Sequence, residues 1–351
     1  MKGLTVINRF LLLALVMLLA SCEKEVPAQV TELVYATPYA PSHPFSRADQ
    51  DWMAFVEQRS GGTLKIVPSW AGALLSSEHS MLELRHGVAD IGLITPIYVK
   101  GGAHMIRMQS GFYIGTTTMT AQLALYRCME ASSEQFAEEM DGLKILAIQG
   151  GSLPGLITRQ KPVYSLDDMR GMRIRAPTEL LGVLEELGAD PVNMPMGDVY
   201  SALAKNVLEG VIAPLDTFRS LHFEEVANYY TGLVVPRGAY PARAMSEARW
   251  ETVSAAHQQV LNESIAVWEA ALSTQIDAAM ADGLAEAQAG GVAFIDLPAQ
   301  EQAAFNDLYL AEARRNAESL SRYDIDGMHV FDVARASIHA DGTVTCPGVV
   351  N

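Results

Sequence analysis

Residues 161–210 read KPVYSLDDMRGMRIRAPTELLGVLEELGADPVNMPMGDVYSALAKNVLEG, and the run GVIAP closes the stretch at 210–214. MRIRAP, DPVNMP and GVIAP are short and mostly apolar, and they alternate with TELLGVLEELG and DVYSALAKNVLEG, whose apolar residues recur at helical spacing. Strand, helix, strand, helix, strand is the rhythm of a βαβ series. Strands that are apolar on both faces belong to a parallel or mixed sheet covered by helices on each side. One feature resists that reading: Arg173 and Arg175 occupy alternate positions of the first strand. A strand bound for an interior carries a guanidinium at its end, just before Pro177.

The same rhythm runs upstream. TELVYAT (31–37), TLKIVPS (63–69) and ADIGLIT (89–95) read as strands. Between them, Ala48, Trp52, Phe55 and Val56 mark one face of a helix stopped by Gly61 and Gly62, and SEHSMLELRHG marks a shorter one. AQLALYRCMEASSEQFAEEMDG (121–142) reads as a helix and LKILAIQG as a strand, after which GGSLPG (150–155) leads into a second series. LVVPRG (233–238) marks the return. From Ser246 a periodic helix begins, with Trp250, Val253, His257, Val260, Leu261, Ile265, Trp268, Leu272, Ile276 and Met280 at intervals of three or four. A helix of ~35 residues is ~50 Å long, enough to run past two lobes; its seam also suits self-association. GVAFIDLP reads as a strand, and a helix at 298–321 opens at Pro298.

Composition narrows the function. The chain has 351 residues, 49% hydrophobic and 19% charged, and a formal charge of -16 from 25 basic and 41 acidic side chains. Such a field repels phosphate backbones and argues against a nucleic-acid partner. An anionic ligand would need a local positive patch, which directs attention to the arginines. At the N-terminus, Lys2 and Arg9 flank the apolar run FLLLALVMLLA (10–20), shorter than a bilayer span and suited to an export signal. Leu19, Ala20, Ser21 and Cys22 look like a bacterial lipobox, which makes 1–21 a signal peptide, Cys22 a lipidation site and 22–30 a tether; the alternative is ordinary secretory cleavage with Cys22 incidental. Export permits a disulfide between Cys128 and Cys346, against which stands a buried free Cys128.

Beyond these features, 161–210 resembles the extracytoplasmic solute-binding proteins of tripartite ATP-independent periplasmic (TRAP) transporters, of the dicarboxylate-binding-protein type. The resemblance rests on Pro162, Asp168, Met169, Gly171, Arg175, Pro177, Leu187–Gly188–Ala189, Pro191, Met194–Pro195 and Val199–Tyr200–Ser201–Ala202–Leu203 in order. Upstream, Leu75, Glu78, Met81, Leu82 and Gly87 within 61–94 stand in the family's register. It implies an α/β, two-lobed, periplasmic-binding-protein-like fold (type II) with an interlobe cleft, crossing hinge strands and a long bracing helix. The expected division is 31–151 with 236–275 for lobe I, 152–235 with 276–345 for lobe II, and a tail at 346–351. It also implies capture of a small organic acid for a TRAP permease driven by an ion gradient, and leaves a homodimer through the long helix open.

Within that frame Arg175 is the main ligand-binding candidate, because the family's carboxylate-binding arginine falls there. A guanidinium matches both carboxylate oxygens with a planar fork of donors. Arg173 reads more simply as a surface or interdomain ion pair. Trp70 either stacks on a ligand or belongs to the core. Tyr39 and His43 follow the first strand, Glu78 sits near a helix start, Met194 and Phe218 offer apolar walls, and Asp216 follows a strand end. Tyr200 reads as core or site. Sugar-acid binders of the family carry an arginine and an asparagine at positions that fall here on Gly155 and Ala213. That departure favours a monocarboxylate with an apolar or aromatic body. Glu78, His79, Asp198, Asp216 and His43 include acid–base groups, yet no nucleophile elbow or zinc spacing accompanies them. The expectation is therefore no enzyme, no cofactor and no metal; the stronger rival is a ligand-occupancy sensor for a membrane receptor.

Overall fold

The computed structural model describes residues 30–347. The expected signal peptide, the Cys22 lipidation site, the tether up to residue 29 and tail residues 348–351 lie outside the described residues. Strands are numbered throughout, and helices where they exceed eight residues. The chain begins with β1 (Thr31–Ala36), α1 (Pro44–Arg59), β2 (Leu64–Ser69), β3 (Ile91–Leu93), α2 (Met119–Ser132) and β4 (Leu143–Gln149). It continues with β5 (Gly155–Thr158), β6 (Arg173–Arg175), β7 (Asp190–Val192), α3 (Met196–Ala204), β8 (Gly210–Ala213) and β9 (Tyr229–Thr231). It ends with β10 (Tyr240–Ser246), α4 (Ala255–Ala289), β11 (Ala293–Ile295), α5 (Ala299–Ser319) and α6 (Gly327–Ser337).

Two mixed sheets result, ordered β2-β1-β3-β10-β4 and β11-β9-β5-β8-β6-β7. Each lies at the heart of one lobe. β4 leaves the first sheet and β10 returns to it as antiparallel neighbours, Gln149 facing Tyr240. Across the hinge, β5 and β9 are antiparallel in the second sheet. The two crossings are therefore segments 150–154 and 232–239. Helices cover both faces of the inner strands: Leu33 and Tyr35 pack toward α1 and α4, while Ala36 faces the cluster around Leu84 and Phe112. β2 and the start of β1 are covered on one face only, with Glu32, Val34, Lys65 and Val67 exposed.

The long helix braces both lobes. α4 packs on α1 and β4 in the first lobe and on the short helix Thr217–Ser220 in the second. Gly283 permits the second contact: a Cβ there would lie 2.2 Å from the Leu215 carbonyl oxygen and 2.7 Å from the Asp216 Cα. The periodicity that begins at Ser246 is interrupted once. A short helix, Glu247–Thr252, stops at Val253, whose backbone is extended, and the Ser254 side chain accepts from the His257 N–H to cap a new start. Similarly, 121–142 is two helices, since Ser133 is extended after α2 and Gln135–Glu139 resumes.

The C-terminal region departs from the expected division, which places residues up to 345 in lobe II. α6 packs on α2 of the first lobe, with Val330, Phe331 and Ala334 in the same core as Leu125 and Met129. The Cys128–Cys346 disulfide fastens the following segment to α2 as well. The physical reason is apolar complementarity: α6, capped by the Asp326 side chain at the His329 N–H, has an apolar face that the first lobe buries. Among the described residues no helix is long and apolar enough to cross a membrane.

Candidate functional site

Strand ends from both sheets meet in one cavity. Beyond β1 lie Tyr39 and His43, beyond β3 lie Thr95, Ile97 and Tyr98, at the end of β6 is Arg175, and beyond β8 come Pro214, Asp216 and Thr217. These are carboxyl ends, where open α/β sheets place their ligands. The space is about 130 Å³. An apolar protein cavity of ~150 Å³ accommodates benzene, so a ligand of about one ring fits.

Arg175 is buried by position rather than by pairing. Its relative exposure is 3%. Its Nε donates to the Met194 carbonyl at 3.0 Å, and one Nη donates to the Tyr98 hydroxyl at 2.7 Å. The guanidinium carbon also lies 5.9 Å from the Tyr98 ring centre. Tyr98 belongs to the first lobe, so that hydrogen bond spans the cleft. Among the described residues no carboxylate forms an ion pair with Arg175. Arg173, two residues earlier, pairs with Asp190 across β6 and β7 at 2.8 Å, half-exposed. The strand thus carries one guanidinium to solvent and one into the cleft.

Burial disfavours charge on the neighbouring groups. Burial, with Arg243 and Arg47 nearby, lowers the His43 imidazole to about 3. Its Nδ1 accepts from the Phe45 N–H at 3.2 Å, capping α1, and the neutral ring then carries its proton on Nε2. Burial raises the Tyr39 hydroxyl, which stacks its ring on His43 at 4.0 Å between centres. Glu179, which also lines the cavity, is raised by burial despite the opposing pull of Ser110 and Arg175, and its Oε2 is buried without a hydrogen-bond partner. Asp216 is raised by burial against the pull of Arg237, and its two oxygens accept from Ser152 at 3.5 Å and Ser220 at 3.2 Å.

Of the residues singled out from sequence, Arg175, Tyr39, His43 and Asp216 line the cavity together. Four do not. Trp70 packs edge-on to Tyr35 at 6.1 Å on the margin of the lobe-I core. Glu78 pairs with Lys100 at 3.2 Å. Met194 supplies only its carbonyl, with its side chain in the lobe-II core, and Phe218 is fully buried there too. Tyr200 donates to Glu225 at 2.6 Å near the surface. Sequence reasoning passed over Tyr98, Ser110, Glu179, Tyr240 and Arg237, all lining the cavity. Only Arg237 carried a usable signal, as a lone cation in the proline- and glycine-bearing return segment of an acidic chain.

A two-lobed α/β body whose strand ends converge on a single cleft with an available guanidinium has the form of a solute-binding protein. The chain belongs to the bacterial extracellular solute-binding proteins, family 7 (DctP), whose profile matches residues 35–318. A solute-binding protein of Albidiferax ferrireducens is 25% identical over 186 residues, covering 53% of this chain and 54% of the relative. The chain aligns over about half the length of that curated relative. A TRAP solute-binding protein from Rhodoferax ferrireducens, solved with copurified benzoate, superposes with a TM-score of 0.79 at 22% identity, covering 88% of this chain and 97% of that one. A TRAP periplasmic solute-binding protein from a Sulfitobacter species, holding β-D-galacturonate, gives 0.72 at 17% identity, covering 87% and 100%. At these identities the likeness is one of fold, shared by chains that bind aromatic and sugar acids alike.

Proposed function

We propose that the protein captures a small organic-acid anion in the interlobe cavity, with the ligand carboxylate on Arg175, and delivers it to the membrane subunits of a TRAP-type permease for uptake driven by an ion gradient. It performs no chemistry on the ligand. One observation carries this reading: a guanidinium with 3% exposure meets a hydroxyl and a carbonyl, and no carboxylate. Desolvating an unpaired cation is costly, and an anion arriving with two oxygens offsets that cost.

The walls favour a monocarboxylate with an apolar or aromatic body. Gly155 is covered by Tyr230, whose hydroxyl would lie 2.4 Å from an added Cβ, and Ala213 is fully buried, so neither position offers a polar contact. Ile97, Ile212, Val235 and several prolines are among the apolar residues that line the cavity. Benzoate in the Rhodoferax neighbour agrees with this preference, whereas galacturonate in the Sulfitobacter neighbour marks the alternative. The same reading takes residues 1–21 as a cleaved signal and Cys22 as lipidated, testable by mass spectrometry of the membrane fraction. Self-association through the outer face of α4 is decided by light scattering.

The decisive experiment is a thermal-shift screen of organic acids followed by calorimetric titration of the best binder. Arg175→Ala should weaken binding more than tenfold, since removing one partner of a buried charged pair costs ~2–5 kcal/mol. Unchanged affinity removes Arg175 from the site, and a screen in which only hydroxylated sugar acids bind rejects the apolar ligand class.

A further inference from the structure

A second guanidinium lines the same cavity. Arg237 lies in the returning crossing, segment 232–239, and stands over Gly151 in the outgoing one: a Cβ on Gly151 would lie 2.6 Å from the Arg237 guanidinium carbon. Gln122 holds Gly151 from behind, donating to its carbonyl at 3.0 Å and accepting from its N–H at 2.9 Å. The position of Arg237 is therefore fixed by both hinge segments together. Whereas Arg243 is locked to Asp49, Arg237 has no ion pair among the described residues, and the buried Tyr240 hydroxyl beside it is a neutral partner. Asp216 is near enough to feel its charge, yet the two form no ion pair, and both line the cavity.

What fits between an unpaired donor and a carboxylate is a group that accepts from one and donates to the other. A hydroxyl does both. A second carboxylate would satisfy Arg237 and face Asp216 as a like charge; a bare ring edge would satisfy neither. We propose that Arg237 and Asp216 form a second subsite that reads a hydroxyl on the ligand body, which makes the ligand a hydroxylated aromatic or similarly compact acid. This inference rests on the carboxylate being held at Arg175, as proposed above. Arg237 is then a specificity residue carried by the hinge itself, and occupying it ties together the two segments that must move when the lobes close.

Calorimetric titration with benzoate, 3-hydroxybenzoate, 4-hydroxybenzoate and benzene-1,3-dicarboxylate tests both layers separately. The full chain should bind one hydroxybenzoate at least tenfold more tightly than benzoate. Arg237→Met should erase most of that preference, lowering affinity for the hydroxylated acid far more than for benzoate, and Asp216→Asn should reduce it less. Arg175→Ala should abolish binding of all four. If wild type prefers neither hydroxybenzoate, or if Arg237→Met keeps the preference, the subsite is overturned while the carboxylate reading stands. Tighter binding of the dicarboxylate than of either hydroxybenzoate overturns the hydroxyl assignment. If wild type binds none of the four, the subsite and the aromatic ligand class are overturned; if Arg175→Ala binds them undiminished, the underlying reading fails instead.

Discussion

Two buried arginines sit on either side of the hinge, and they are treated in opposite ways. Arg243, on β10 of the first lobe, has 1% exposure and Arg175, on β6 of the second, has 3%. Arg243 is saturated. Its Nε and one Nη donate to the two oxygens of Asp49 at 2.7 and 3.2 Å, its other Nη donates to Gln149 at 3.2 Å, and the Trp268 ring lies 4.5 Å from its guanidinium carbon. Asp49 in turn accepts from the Tyr35 hydroxyl at 2.6 Å and the Trp268 indole N–H at 2.8 Å. Four elements, β1, α1, β10 and α4, are joined through one carboxylate. Arg175 has the same chemistry and nearly the same burial, but no carboxylate is paired with it among the described residues. A buried guanidinium is thus a structural group or a binding group according to whether the protein supplies its counter-ion, and burial alone does not distinguish them.

The contrast breaks most sharply if the counter-ion is removed. Asp49→Ala leaves Arg243 buried and unpaired, a change worth ~3–5 kcal/mol of stability. A large fall in Tm by calorimetry is expected, with ligand affinity preserved in the folded fraction. Arg175→Ala should do the reverse: affinity falls at least tenfold while Tm stays level or rises, because the variant no longer buries an unpaired charge. Should Arg175→Ala unfold the protein as Asp49→Ala does, the two arginines belong to one class and the distinction fails.

Smaller effects sharpen the picture. Gly283→Val drives a side chain into the Leu215–Asp216 backbone, where even a Cβ has no room. Overpacking of this kind costs ~1–3 kcal/mol. Because α4 bridges the lobes there, both Tm and ligand affinity should fall together, and a loss of Tm alone would detach the helix from the site. The smallest effect concerns Glu179. Its carboxyl is raised by burial, so the folded chain holds a proton that the unfolded chain has already lost. Stability therefore falls as pH rises from the ordinary carboxylate range through the raised value. Glu179→Gln should flatten that part of the Tm–pH curve, with its advantage largest at neutral pH and absent in acid.

The sequence made the sheet architecture and Arg175 legible for one reason: both are written locally. Continuous apolar runs announce doubly covered strands, and an arginine at such a strand's end is conspicuous. The rest of the site is assembled from segments far apart in the chain. Tyr98 and Ser110 lie in short 3₁₀ segments between β3 and α2, too brief to show a period, and Glu179 reads as an ordinary residue of a helix start. Trp70 and Phe218 show the converse. An aromatic after a strand can as easily close a core as line a cleft, and no residue pattern separates these outcomes before the lobes are placed. α6 was missed for a related cause, since its apolar face is covered by α2, some two hundred residues earlier in the chain.

The Cys128–Cys346 bridge has a practical corollary. β1, which starts at Thr31, and the segment ending at Cys346 are both secured to the first lobe. A fluorophore fused near either end of the described chain would ride with the same body and stay blind to closure. A biosensor for ligand capture needs one reporter inserted in the second lobe, for instance at the exposed turn 205–207 between α3 and β8, with the other placed at a terminus.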